Sequence, residues 1–480
     1  MKTFANAISH QETVTTNGMN AFKSTANSNV DLFFKIGASR GKDIIPEFVA
    51  AYTEDADKAL RIAQWARDVR GGAGERRLFI DILEYLDKTN PVQTISLLSK
   101  VPEIGRWKDI IEANLTNELV VEYAFRMIKE ALESGDGLCA KWAPRKGKKA
   151  VALRNYLGMT PKQYRKTLVG LTKVVESQMC SKDWDSIEFS KVPSLAAARY
   201  RTAFYRNAEE KFSDYVESLK NGEDKVKAGA VYPYDVLKSV MNNYNRDILS
   251  TTDRDFILSQ WDALENFVGD SDILPMVDVS SSMRRPAGGY QNKSSVSCMD
   301  VAVSLGLYLS DKNTGKFKDT FLTFSSNPEL RLLKGNVIQK LNQMTKDVWY
   351  QSTDITKAFS VVLETALYNN VPAEEMPSMI VIFSDMQFNR GAVYHESANE
   401  MIKRKYKEAG YEVPKIVYWN LNSYDNVPVE FDTSGTALVS GFSPTILKTI
   451  LLGDVSKFDP ESIMNETIMN ETIMIDRYKL

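Results

Sequence analysis

Histidine and cysteine are scarce in this chain, and no stretch stays apolar for long. Two histidines, His10 and His395, occur among 480 residues. They leave little for a His-rich zinc site or a Ser-His-Asp triad. The three cysteines, Cys139, Cys180 and Cys298, are too few and too scattered for a disulfide framework, and they suit a reducing compartment. No run approaches the roughly 20 apolar residues a membrane helix needs. The opening Met1-Lys2-Thr3-Phe4-Ala5 lacks the apolar core of a signal peptide. A cytoplasmic protein with no membrane partner is expected. Excess charge is missing too: 60 basic and 62 acidic residues leave a net charge of −2. Bulk charge therefore attracts no polyanion, and any nucleic-acid surface must be local.

What is present suits a globular protein. Hydrophobic residues make up 43% and charged residues 25%. As a soft prior, this length suggests about two to four domains and permits a large core. Residues 1–27 are polar, with Ser, Thr and Asn clusters, and read as a mobile arm. From 28 to 268 amphipathic helices follow one another. Ala59, Leu60, Ile62, Ala63 and Ala66 keep helical spacing, as do Leu78, Phe79, Ile82, Leu83 and Leu86. Asn90-Pro91 predicts an N-cap with Pro at the first helical position. A further amphipathic helix covers 118–132. Thr160-Pro161-Lys162-Gln163 predicts a capping box opening a helix that runs to about Met179. Pro193 and Pro233 open two more. About a dozen helices with short links suggest stacked pairs of a HEAT-like kind, able to close into a ring; a compact irregular bundle is the alternative.

A shift occurs at Gly269-Asp270-Ser271-Asp272. Beyond it, short apolar runs (274–279, 321–324, 379–383, 416–419 and a weaker 437–439) alternate with helical stretches. This predicts a doubly wound, mostly parallel α/β domain over 270–455. The fold class is thus α + α/β, with a tail over 456–480. The tail holds a tandem repeat, Ile463-Met464-Asn465-Glu466-Thr467 and Ile468-Met469-Asn470-Glu471-Thr472. It is read as a slipped duplication without a role, the alternative being the end of a last amphipathic helix.

Two of the apolar runs end on an acid. Met276 to Val279 encloses Asp278, followed by Ser280 and Ser282. Met379 to Phe383 leads into Ser384-Asp385, and Thr353 opens a helix between them. An acid beside a buried strand is costly without a cation or donors. In parallel α/β sheets, ligands sit at the carboxyl ends of strands. Hard oxygen donors of this kind suit Mg²⁺, which takes one or two carboxylates and keeps waters. Read without the other positions, the first loop is equally a capped strand-to-helix turn. Together, Asp278-Val279-Ser280-Ser281-Ser282, Thr353 and Asp385 resemble the metal-ion-dependent adhesion site of a von Willebrand factor A domain. That resemblance implies Mg²⁺, or another divalent cation, on Asp278, Ser280, Ser282, Thr353 and Asp385. It also implies a coordination position open to an acidic group of a protein partner. The stretch from Arg284 to Lys293 is longer than that family's loop and brings Arg284-Arg285 beside the site. A haloacid-dehalogenase-like phosphatase is the competing reading. It needs a second Asp where Ser280 stands, and its Lys-plus-acid set does not follow.

Between Gly137 and Val175 there are ten Lys or Arg and no acid. Lys141, Trp142, Arg145, Lys146, Lys148, Lys149, Arg154, Lys162, Tyr164, Arg165 and Lys166 combine cations for phosphates with rings for unpaired bases. A solvated face is the bland alternative, and Trp142 is equally a core anchor. A second cue is Arg67-Asp68-Val69-Arg70-Gly71-Gly72-Ala73-Gly74-Glu75-Arg76-Arg77. This Gly-rich turn can offer amides to a phosphate but is no Walker A loop. These strings, with Val101-Pro102-Glu103-Ile104-Gly105-Arg106-Trp107-Lys108-Asp109, resemble the Ro ribonucleoprotein family with its TROVE module. Lys141-Trp142-Ala143-Pro144-Arg145, the Leu153-Arg154 helix and Tyr164-Arg165-Lys166 also resemble an uncharacterised bacterial and phage family allied to it. The resemblance implies helical repeats closed into a ring by the A-domain. It implies small structured RNA on a basic outer surface and single-stranded RNA ends in the ring. The expectation is a non-enzymatic RNA-binding protein, with a metal-dependent protein-interaction adaptor as the alternative.

Overall fold

The computed structural model describes residues 12–226, 231–241, 249–287, 296–325, 327–345, 354–389, 398–452 and 457–469. Between Ser28 and Asp262 the described residues form fifteen α-helices. Local chemistry explains many of their starts. Asn27, Asp55, Asn90 and Thr160 each accept a hydrogen bond from an otherwise unpaired amide of the helix that follows. Thr160 and Gln163 form the expected capping box. The helix it opens does not reach Met179, however. It stops at Leu171, where Thr172 turns its hydroxyl back onto the Leu168 carbonyl (2.6 Å), and a new helix runs Val175–Ser181.

The second part of the chain is a six-stranded sheet. Its strands are β3 (Ile273–Asp278), β4 (Thr320–Phe324), β5 (Leu330–Leu332), β6 (Met379–Ser384), β7 (Lys415–Asn420) and β8 (Thr436–Ser440). Their order is β5-β4-β3-β6-β7-β8. All neighbours are parallel except the edge pair β4 and β5. Strands β3 and β6 are buried along their whole length, which is why they read as continuous apolar runs. The Cys298–Lys312 helix packs on β3 through Gly306; a Cβ there would stand 2.3 Å from Val277 Cγ2. The strand order runs outward to one side from β3 and to the other from β6, so a crevice opens at the carboxyl ends of these two parallel strands.

The two parts share one hydrophobic core, running from Met19 to Ile468. The Ser28–Ile36 helix ends against β8, and the sheet satisfies its last carbonyls. Ser440 Oγ donates to Phe33 O (2.8 Å) and Asn420 Nδ2 to Phe34 O (3.2 Å). The far end of the helical segment returns to the same place. Tyr232 Oη lies 3.5 Å from the Ala73 carbonyl. Gly74 has φ +71°, and a Cβ on it would stand 1.9 Å from that oxygen. Tyr234 packs edge-on against Phe442, over which the Arg40 guanidinium also lies, at 3.9 Å. The Gly74 turn and the Tyr232–Tyr234 stretch thus meet beside Phe442, just past β8. A separate, aromatic-rich core lies within 175–226 and Phe256.

Two expectations need correction. Residues 12–27 are no free arm. β1 (Glu12–Val14) and β2 (Asn20–Phe22) form a hairpin. Its turn is held by Thr15 Oγ1 on Phe388 O (2.5 Å), Thr16 N–H on Gln387 Oε1 (2.8 Å) and Asn17 Nδ2 on Gln387 O (2.6 Å). Polar side chains serve here as cross-chain donors. The tail repeat is not idle either: its first copy and the start of its second lie in the Pro460–Met469 helix, which puts Ile463 and Met464 of the first and Ile468 of the second in the core. Residues 470–472 lie outside the described residues.

Candidate functional site

Asp278 closes β3 and Asp385 directly follows β6, so the sheet brings both carboxylates to one crevice. Each is about 1% exposed. Asp278 accepts from Ser384 Oγ (2.5 Å) and from Ser280 N–H (2.9 Å). The Ser280 and Ser282 hydroxyls lie 3.0 Å apart. Asp385 Oδ1 takes the Gln387 amide at 3.3 Å, while its Oδ2 is buried without a hydrogen-bond partner. Thr353 lies outside the described residues.

The electrostatics are those of two like charges out of water. Burial, then the charge of Asp385, pushes the Asp278 carboxyl up to about 7, against hydrogen bonds from Ser384 and Ser280. Burial raises Asp385 as well, opposed by the Ser282 hydroxyl, the Gln387 amide and the Arg285 charge. Met386 adopts φ +62°, which costs about 1 kcal/mol for a residue with a Cβ. That turn lets its amide bond back to Ser384 Oγ (3.0 Å). A cationic rim completes the site. Arg285 donates to Tyr424 Oη, and Lys42 donates to the Ser423 carbonyl and lies 4.9 Å over the Tyr424 ring.

The donor set fits a hard cation. It has two carboxylates, two hydroxyls and one buried carboxylate oxygen left over, and a divalent charge would relieve the repulsion that raises both acids. Among the described residues no cluster of three or more His, Cys, Asp or Glu is disposed to hold a metal, so a cation here would rest on the two carboxylates together with hydroxyl oxygens. Ser384 and Lys42 were not foreseen. Ser384 was visible as a polar residue between an apolar run and its acid; Lys42 comes from a distant loop with no local signal.

The basic stretch divides by burial. Arg145, Lys146, Lys148, Lys162, Arg165 and Lys166 are exposed, and Arg154 is half-buried. Arg145 and Lys146 lead into the Gly147–Tyr156 helix, and the others lie on it or on the Pro161–Leu171 helix. Tyr164 does not belong to the surface: it is buried, donates to Pro144 O (2.9 Å), and its phenol is pushed up to about 12 by burial. Lys149 caps the Trp107–Glu112 helix by donating to Ile111 O (2.7 Å) and Ala113 O (2.8 Å). Lys141 pairs with Glu176 at 3.3 Å. Trp142 is half-buried, with Arg106, Lys108 and Lys141 at 5.5, 5.2 and 5.6 Å from its ring. The Gly-rich turn spends its amides internally. Those of Val69, Ala73, Gly74 and Glu75 bond to backbone carbonyls and that of Arg70 to Asp68, so the turn offers none of these five to a phosphate.

Two family models match this chain. One, a domain of unknown function termed DUF2828, matches residues 15–113 and 147–272. The other, a domain of unknown function termed DUF7788, matches residues 272–477. They meet where the helices give way to β3. An uncharacterized protein, L728, of Acanthamoeba polyphaga mimivirus is 28% identical over 511 residues, covering 94% of this chain and 86% of that protein. Among solved structures, the Ro (RSR) protein of Deinococcus radiodurans is matched with a TM-score of 0.37 and 13% identity, over 92% of this chain and 93% of that one.

Proposed function

We propose that this is an RNA-binding protein without enzymatic activity, whose α/β part carries a Mg²⁺ site of the von Willebrand A kind. The observation that carries the RNA reading is the exposed set Arg145, Lys146, Lys148, Lys162, Arg165 and Lys166, none of which has an ion pair among the described residues. In a chain with net charge −2, such a surface is a local electrostatic footprint. Contacts made there are mainly to phosphates and so depend on salt. The test is binding of single-stranded RNA across a salt series. Reversing Lys146, Lys148, Arg165 and Lys166 to Glu should flatten the salt slope by about 3, from roughly 0.7 per lost phosphate contact. An unchanged slope refutes the RNA reading.

A second reading has its own observation, the unpartnered Oδ2 of Asp385 in a crevice with Asp278, Ser280 and Ser282. Mg²⁺ held there, with Thr353 as a further oxygen donor, would supply a Lewis-acidic position for an acidic group of a protein partner. This chain's own residues would orient the donors: Ser384 fixes Asp278, and Arg285 and Lys42 favour an anion at the rim. Pull-downs with and without EDTA separate the two readings, because RNA held by the helical part does not need the metal.

A further inference from the structure

Three arginines from separate segments meet around one carboxylate at the edge of the basic face. Arg67, at the end of the Ala56–Arg67 helix, is fully buried and donates through Nε to Asp109 Oδ2 (2.7 Å). Arg106 approaches the same carboxylate, with its amide 3.0 Å from Oδ2 and Nη2 3.4 Å from Oδ1. Arg76 stands 3.9 Å from Oδ1 and is 48% exposed. One carboxylate cannot serve three guanidinium groups. Arg67 Nη1 and Arg106 Nε are both buried without an acceptor. A guanidinium cannot shed its proton to escape that cost, so it calls for an oxygen acceptor.

The other acids nearby are committed. Glu75 is paired with Arg40 at 2.7 Å, Glu112 with Lys108 at 2.8 Å, and Asp68 accepts the Arg70 amide at 2.8 Å. The Arg77–Thr89 helix begins beside Arg76 with no side-chain cap and no acid in its first turn, which adds the positive end of a helix dipole. Burial, then the charge of Arg106, draws the Arg76 guanidinium below its ordinary value, as expected where cations crowd.

We infer that Arg67, Arg76 and Arg106 form a phosphate-binding site against the start of the Arg77–Thr89 helix. Guanidinium forks suit tetrahedral oxyanions, and the two unsatisfied donors supply bonds that water would fill less strongly. Asp109 holds the forks in place and does not meet the anion. The ligand chemistry is a phosphate oxyanion, whether free or carried by an RNA chain. Arg106 also lies 5.5 Å from Trp142, so the phosphate position adjoins the basic face. The site itself does not depend on the RNA reading, because it rests on arginines outside the acid-free stretch.

Titration of the full chain with inorganic phosphate, against chloride at matched ionic strength, tests this by calorimetry and thermal shift. Phosphate should bind and raise the melting temperature. R76Q should weaken that binding about tenfold, a charged hydrogen bond's worth. The side chain of Arg76 is half exposed and only 3.9 Å from Asp109, so this variant should melt like the wild type without phosphate. K146E/K148E should leave phosphate binding unchanged while weakening RNA. The absence of binding above the chloride control, or binding by R76Q equal to wild type, overturns the site. Displacement of phosphate by an RNA oligonucleotide would assign the site to RNA, and persistence of phosphate beside bound RNA would assign it to a small oxyanion.

Discussion

At the scale of single residues, Asp278 and Asp385 are the most consequential pair, because burying two acids together is unfavourable until something neutralises them. Replacing one with an isosteric amide therefore has opposite effects with and without metal. In EDTA, D385N should be at least as stable as the wild type, since a buried like charge is gone. In Mg²⁺ the wild type should gain about 2.7 kcal/mol at a hundredfold excess over Kd, and D385N should gain nothing. Denaturant melts in the two buffers measure this; a Mg²⁺ gain retained by D385N would remove Asp385 from the site. Both acids were legible in the sequence because each ends a run of strand-forming apolar residues, a place where an acid has no structural reason to be. Lys42 and Tyr424 were not legible, because tertiary folding alone carries them to the crevice. Tyr164 stands among cations in the sequence and reads as one of their rings, but the fold buries it. It lies four residues before Leu168, on the buried stripe of its helix, whereas Lys162, Arg165 and Lys166 point away.

At the scale of elements, the joints between helices and sheet rest on polar contacts as well as apolar ones. The Thr251–Asp262 helix is fastened to the Cys298–Lys312 helix through Trp261 Nε1 on Asp311 Oδ2 (2.7 Å). Lys340, from the Val337–Thr345 helix, donates to Asp311 and to Asp319 (2.6 Å). Burial raises the Asp311 carboxyl, but the Lys340 and Trp261 hydrogen bonds and the Lys340 charge outweigh it, and the net direction is down. A folded-state value below the unfolded one contributes stability that is complete above the ordinary carboxylate range and lost as pH falls through it. D311N should therefore cost about 1–3 kcal/mol at neutral pH, and that difference from wild type should shrink in acid. Urea melts across the pH series check it; a pH-independent difference would mean the loss is one of packing. Helix starts such as Thr160 were legible because capping is local chemistry. Strand β5 was not: three residues flanked by polar loops carry no periodicity. The hairpin over residues 12–22 was hidden for a related reason, since its partners are Gln387 and Phe388, far along the chain.

At the scale of the whole molecule, the shift in pattern near residue 270 separates helices from strands in sequence, but one core spans both. Alternation and helical spacing show which segments share a secondary-structure type. They do not show which surfaces meet, so the meeting of Gly74, Tyr232, Tyr234 and Phe442 was beyond them. This has a consequence for any attempt to divide the chain. The Ser28–Ile36 helix buries Leu32, Phe33, Phe34 and Ile36 completely, and part of that burial is against β8. Side chains of this size are each worth about 1.5–3 kcal/mol when buried, so the four hold up to about 12 kcal/mol between them. That is comparable to the whole stability of a folded domain. A fragment ending at residue 268 would expose part of this surface and leave the Phe33 and Phe34 carbonyls without Ser440 and Asn420. It should keep helical far-ultraviolet dichroism while losing sharp near-ultraviolet bands and a cooperative melt, as a loosened core does. Restoring the α/β part in trans should recover the melt. A fragment that melts cooperatively on its own, at the temperature of the intact protein, would show that the helical part is a domain in its own right and that the shared core is contact without dependence.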